Sequence, residues 1–289
     1  MLKGYGLWLM SRQLIVTADD FGAALPVNEA VEVAHREGIL TAASLMVGAP
    51  GAADAVARAK RLPTLRVGLH LVLVEGRPTL PAARVSLLVG RDGLFSTDMA
   101  RAGATMFFHP AARRQLAAEI AAQFQAFADT GLRLDHVNAH KHFHLHPTIA
   151  GLILKIGARH GMTAARVPVE PRDVIARIDG HAVPPDPLFD AMGRLARGRF
   201  RRAGVTIPDQ VFGLFWSGAM TTARVQGLIE ALPPGLTEIY LHPATHGDFA
   251  AATPGYRYAD ELAALTAPEV VRAAANSQAV LGGFGDFAH

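Results

Sequence analysis

No cysteine occurs in the 289 residues, which removes disulfides, thiolate nucleophiles and cysteine-held zinc from consideration. Any metal ion must be held by histidine, aspartate or glutamate, which favours a hard or borderline divalent ion, magnesium or zinc. No apolar run reaches the length of a membrane span. Residues 1–12 include Leu7, Trp8 and Leu9 but no signal-peptide core. A cytoplasmic location is therefore expected, with residues 1–12 as an N-terminal extension and residues 13–289 as a single domain. Charged residues are also sparse, at 18% against 50% hydrophobic, which excludes a disordered chain. The net charge is only +3 and is not gathered into a basic run, so no nucleic-acid partner is expected.

The sequence does contain a recurring order of apolar, β-favouring run, polar turn and helix-spaced segment. Strands are expected at residues 14–17, 42–47, 66–69, 134–137, 164–167, 211–215, 238–241 and 279–281. Helices are expected at 27–36, 52–60 and 148–160. This alternation predicts an α/β fold with a parallel sheet and outer helices, and about eight strands fit a closed or nearly closed (β/α) barrel of the TIM-barrel type with loop insertions.

In such a barrel the working groups sit just past the carboxyl ends of strands. Asp19 and Asp20 follow the first run, where one can hold a metal and the other act as a base, or one can cap the next helix. His70 interrupts the apolar Val67-Gly68-Leu69-His70-Leu71, as a ligand or as a satisfied core histidine. The densest cluster is His136, His140, His142, His144 and His146, five histidines in eleven residues. On an extended chain alternate residues share a face, so several of these imidazoles would reach one point. A solvated histidine-rich loop is the plain alternative. His242 ends another apolar run and is the candidate general acid, with His246 as its alternative. Arg166 either holds an aspartate ionised or forms an ion pair with no catalytic task.

Thr17-Ala18-Asp19-Asp20-Phe21-Gly22, Gly68-Leu69-His70-Leu71, the tract from His140 to Pro147 and Leu241-His242-Pro243 together resemble the YdjC-like carbohydrate deacetylases. Within that family, residues 40–47 and 136–147 are most similar to the hopanoid-biosynthesis-associated branch, HpnK. The resemblance implies a metal-dependent α/β-barrel N-deacetylase. Asp20, His70 and His140 would be the metal ligands, His142 and His144 secondary candidates, and Asp19 the base. The wider family often has an aspartate where this chain has Asn138. The substrate implied is an N-acetylglucosaminyl hopanoid lipid, with a soluble chito-oligosaccharide as the alternative.

Other expected partners are a membrane surface met peripherally and a second copy of the chain in a homodimer. Residues 187–205 mix Leu188, Phe189, Met192, Leu195 and Phe200 with five arginines, which suits an anionic membrane surface or an ordinary outer helix. Met106-Phe107-Phe108 is a second candidate lipid contact. Two rival functions are a glycoside hydrolase, which leaves the histidine tract without a purpose, and a metal-sequestering protein that does no chemistry.

Overall fold

The computed structural model describes residues 12–250 and 252–288. Residues 1–11 of the expected extension lie outside the described residues, and Arg12 already opens the first strand. The strands are β1 (Arg12–Phe21), β2 (Ala42–Leu45), β3 (Arg66–Leu71), β4 (Val137–Ala139), β5 (Gln210–Phe212), β6 (Gly235–Leu241) and β7 (Val280–Leu281). They pair in parallel in the order β4-β3-β2-β1-β6-β5, and β7 adds to β1 through Gln13 and Leu14. A parallel sheet covered by helices buries both of its faces, so Leu14, Ile15 and Val16 are all fully buried.

The two edges of the sheet meet through residues 163–169. On one side Val137 N–H donates to Ala164 and Arg166 N–H donates to Val137. On the other, Ala165 N–H donates to Thr206 and Val211 N–H donates to Val169. The sheet therefore curls into the expected barrel, although residues 164–167 form only single bridges and not the expected full strand. Pro168 stops the ladder there, because it has no N–H to offer and restricts the residue before it. The strand expected over 211–215 ends at Phe212, since the N–H groups of Gly213, Leu214 and Phe215 bond the Glu170 carboxylate instead. The expected 134–137 strand is shifted to Val137–Ala139.

The covering helices are α1 (Leu25–Glu37), α2 (Ala52–Lys60), α3 (Met99–Phe108), α4 (Pro110–Asp129), α5 (Pro147–Gly157), α6 (Arg172–Asp179), α7 (Pro187–Arg202), α8 (Thr222–Glu230), α9 (Tyr258–Thr266) and α10 (Pro268–Asn276). Proline in the first turn sets the entry of α1, α4, α5, α7 and α10, where its missing N–H costs nothing. Among the described residues no helix is long and apolar enough to cross a membrane. Helix α7 turns Gly193, Ala196 and Phe200 inward and leaves Leu188 and Leu195 exposed. In α3, Met106 is buried, which removes it as a lipid contact, whereas Phe108 is 76% exposed.

Candidate metal centre

Parallel pairing brings the carboxyl ends of β1, β3, β4 and β6 to one end of the barrel, and with them Asp19, Asp20, His70, His140 and His242. Strand β1 does not stop at residue 17 but runs through both aspartates to Phe21. Its register against β2 shifts between Ala18 and Phe21, and Asp20 takes φ 62°. Such an irregularity re-aims a side chain out of the strand's ordinary alternation. Neither aspartate caps the following helix, whose N-cap is Ala24 with no side-chain bond.

One ligand atom each from Asp20, His70 and His140 lies within 4.8 Å of the others. Asp20 Oδ1 is 3.3 Å from His70 Nε2 and 3.2 Å from His140 Nδ1. Asn138 decides which nitrogen of His70 carries the proton. Its amide nitrogen donates to Asp19 Oδ1 at 3.1 Å and to Ser44 Oγ at 2.9 Å, which leaves its oxygen to accept from His70 Nδ1 at 2.7 Å. In the neutral ring Nε2 is thus a bare lone pair, buried, without a hydrogen-bond partner and facing a carboxylate. That arrangement could hold a cation, and two imidazoles with one carboxylate are the donor set of an open divalent site. The surrounding charges favour a positive partner opposite Asp20. Burial opposes the Asp20 charge, but His140 and His70 outweigh it and hold the carboxyl well below its ordinary pKa. Burial also opposes a charged His70, and Asp19 and Asp20 overcome this to raise it.

Asp19 is buried beside the cluster. Arg166 binds both of its oxygens, Nη1 to Oδ2 and Nη2 to Oδ1, the second at 3.0 Å. The same guanidinium reaches Glu238 through Nε at 2.9 Å and stacks over Tyr240 at 4.2 Å. Burial raises the Asp19 pKa, yet the Arg166 charge and hydrogen bonds, with His70 and His242, together outweigh it and hold the group far below the usual carboxylate range. The aspartate that Arg166 pairs with is thus Asp19.

The expectation that alternate histidines of the tract converge on one point is corrected. Residues His140–Leu145 are wound as 3-10 turns, with Lys141 and His142 both left-handed at φ 54°. Only His140 joins the cluster. His142 Nε2 bonds the Tyr240 hydroxyl at 2.8 Å, and burial drives its pKa well below normal. His144 lies in the interior, where burial lowers it to about 3 and leaves it neutral at ordinary pH. Neither is in ligand position. His146 occupies the N-cap of α5 without a side-chain cap bond.

His242 stands between the Tyr240 and Tyr256 rings, with centroids at 5.7 and 5.2 Å, and its Nδ1 is buried without a partner. His246 is exposed and bonds the backbone of Asp248. Asp19, Asp20, His140 and His242 line two adjoining cavities. One is about 390 Å³, walled by Met46, Val72 and Tyr258; the other is about 240 Å³ and also touched by Met99, Phe189 and Tyr256. A substrate bridging the two therefore passes over the cluster. Sequence reasoning missed Ser44, which holds the Asn138 amide, and Glu238, which shares Arg166 with Asp19. The one signal for Glu238 was a carboxylate inside the apolar run of β6.

A family model described as YdjC-like protein matches residues 13–276. A carbohydrate deacetylase of Geobacillus stearothermophilus is 31% identical over 91% of this chain and 92% of its own length. One from Brevibacillus brevis is 40% identical, but over 54% of this chain and 58% of that relative. A solved structure from Enterococcus faecalis, described provisionally as a cellobiose-phosphate cleavage protein, superposes with a TM-score of 0.76. It covers 96% of this chain and 100% of that one at 23% identity, a likeness of fold. The match along nearly the whole chain, joined to the strand-end cluster, establishes that this chain belongs to the YdjC-like family.

Proposed function

We propose that the protein is a divalent-metal-dependent N-deacetylase of an N-acetylglucosamine-containing substrate, carried by one domain over residues 13–289. The observation that carries the reading is the bare His70 Nε2 facing Asp20 beside His140, with an ionised Asp19 next to it. Two nitrogens and one oxygen suit zinc better than magnesium, which prefers oxygen shells.

An amide resists hydrolysis because its nitrogen donates into the carbonyl and leaves poorly as an anion. Asp20, His70 and His140 would hold a divalent ion, which when bound would supply Lewis acidity toward the acetyl oxygen and lower the pKa of water. Asp19 Oδ2 has Arg166 as its one partner and keeps a lone pair to accept the proton of the attacking water. Arg166 weakens Asp19 as a base, so Asp19 would act best on water made more acidic by an ion held at Asp20, His70 and His140. His242 delivers a proton to the departing nitrogen, so acetate and a free amine leave. Asp19→Asn is expected to keep the fold and the metal and to lose at least about a hundredfold in turnover, as for removal of a general base. Turnover within about twofold of wild type at saturating metal would leave Asp19 a structural role only.

The finer reading places the sugar on a hopanoid lipid, with the protein in the cytoplasm and resting on the membrane face. It draws support from the likeness of residues 40–47 and 136–147 to the HpnK branch, and from exposed Phe108 and Leu188, at 76% and 70%, while Met99 and Phe189 line the cavity at the cluster. Lipids from cells lacking the protein are expected to accumulate N-acetylglucosaminyl hopanoid by mass spectrometry. An unchanged hopanoid profile, with efficient deacetylation of soluble chito-oligosaccharides by the purified protein, would assign the soluble substrate instead. A homodimer remains part of the proposal.

A further inference from the structure

We infer that Ser44, His136 and Asp135, none of which lines the cavities at the cluster, are positioning residues that set the proton order of the metal site through a chain of bonds running from Asn138 back to the start of β4. The inference rests on the metal reading above and concerns how His70 is held. His136 Nε2 lies 2.9 Å from Ser44 Oγ, and His136 Nδ1 lies 2.9 Å from Asp135 Oδ2. Ser44 and His136 are fully buried and Asp135 nearly so. Although this is the order of a serine, histidine and aspartate triad, Ser44 has no access to a substrate and is no nucleophile.

The direction of each bond follows from its donors and acceptors. Ser44 Oγ already accepts from Asn138 Nδ2, and its only other partner is His136, so its single proton goes to His136 Nε2. The His136 ring then carries its own proton on Nδ1 and gives it to Asp135. Asp135 accepts two further bonds, from the N–H groups of Phe284 and Gly285 at 3.1 and 2.8 Å, which anchors the chain of bonds in the C-terminal segment. Toward the site the same polarity continues, since the Asn138 amide, oriented by Ser44 and Asp19, can offer His70 Nδ1 only its oxygen. His70 is thereby committed to the Nδ1–H form with Nε2 turned to the ion. The backbone is shaped for this chain. A Cβ on Gly68 would meet the His136 ring at 2.5 Å, and Phe284 stacks on its other face with centroids at 4.2 Å. An outer partner of a ligating histidine raises ligand basicity and fixes the ring; here that support runs through four residues, Asn138, Ser44, His136 and Asp135.

The test uses the full chain with zinc as the probe. Zinc affinity is measured by competition titration, and the protonation pattern of His70 by nitrogen-15 long-range imidazole spectra of the zinc-loaded protein. Ser44→Ala is expected to weaken zinc binding about tenfold or more and to broaden or shift the His70 Nδ1–H signal, within the range for outer-shell substitutions. Asp135→Asn, acting from the far end, is expected to weaken binding in the same direction by a smaller factor, and it serves if Ser44→Ala fails to fold. Zinc affinity within about twofold of wild type, with the His70 signal unchanged, would overturn the inference even if thermal stability fell. Should wild-type protein bind no ion at Asp20, His70 and His140, the metal reading and this inference fall together; should it bind while the variants bind equally, the inference alone falls.

Discussion

Asp20→Ala, His70→Ala and His140→Ala are each expected to weaken zinc binding by about two to three orders of magnitude and to lower turnover in step. The size follows from apparent zinc binding energies of roughly 10–16 kcal/mol divided over about four ligands, or about 3 kcal/mol for each. The three side chains come from β1, β3 and the turn after β4, so no single local distortion accounts for a shared loss. Metal analysis of the purified variants checks the result. The informative controls are His142→Ala and His144→Ala, whose parent rings face Tyr240 and the interior and whose loss should leave metal occupancy unchanged. Full occupancy in His140→Ala together with loss in His142→Ala or His144→Ala would move the ligand within the tract.

Arg166→Met is expected to destabilise the fold by about 3–5 kcal/mol, the range for removing one partner of a buried ion pair. Among the described residues Arg166 is the largest fully buried side chain, and it neutralises two carboxylates, Asp19 and Glu238, that no other arginine or lysine contacts. Methionine fills much of the volume, so the loss measures stranded charge more than a cavity. Urea unfolding at neutral pH reads it. Because the Asp19 pKa is depressed from 3.8 in the folded chain, the stability it contributes is fully present above that value and is lost only as the pH falls below it. The deficit of Arg166→Met should accordingly shrink on acidification, when a stranded Asp19 can take up a proton. Adding Glu238→Gln should recover part of the loss, and an equal or greater loss in the double variant would mean that the pair with Glu238 does not share the cost.

The sequence displayed the end of the barrel that carries the candidate site, because a boundary between an apolar run and a polar cluster is a local pattern. Asp19-Asp20, His70, His140 and His242 were found that way, and all five line the cavity of about 240 Å³. The shape of the histidine tract was not legible. Alternation presumes an extended backbone, and nothing in Lys141 or His142 announces the left-handed conformation that both adopt. The supporting contacts were further from view. Ser44 and His136 are 92 positions apart, and Thr17 and Glu238, whose side chains bond at 2.8 Å, are 221 apart. Each of these reads as one polar residue inside a strand until the barrel closes and supplies its partner.

The most direct measurement takes the zinc-reconstituted protein, an N-acetylglucosaminide with an intact glycosidic bond, and parallel assays for acetate and for released sugar. The account predicts acetate and a free amine in equal amounts, no cleavage of the glycosidic bond, loss of activity on chelation and its return with zinc. Released sugar without acetate, or acetate release indifferent to chelation, would contradict it.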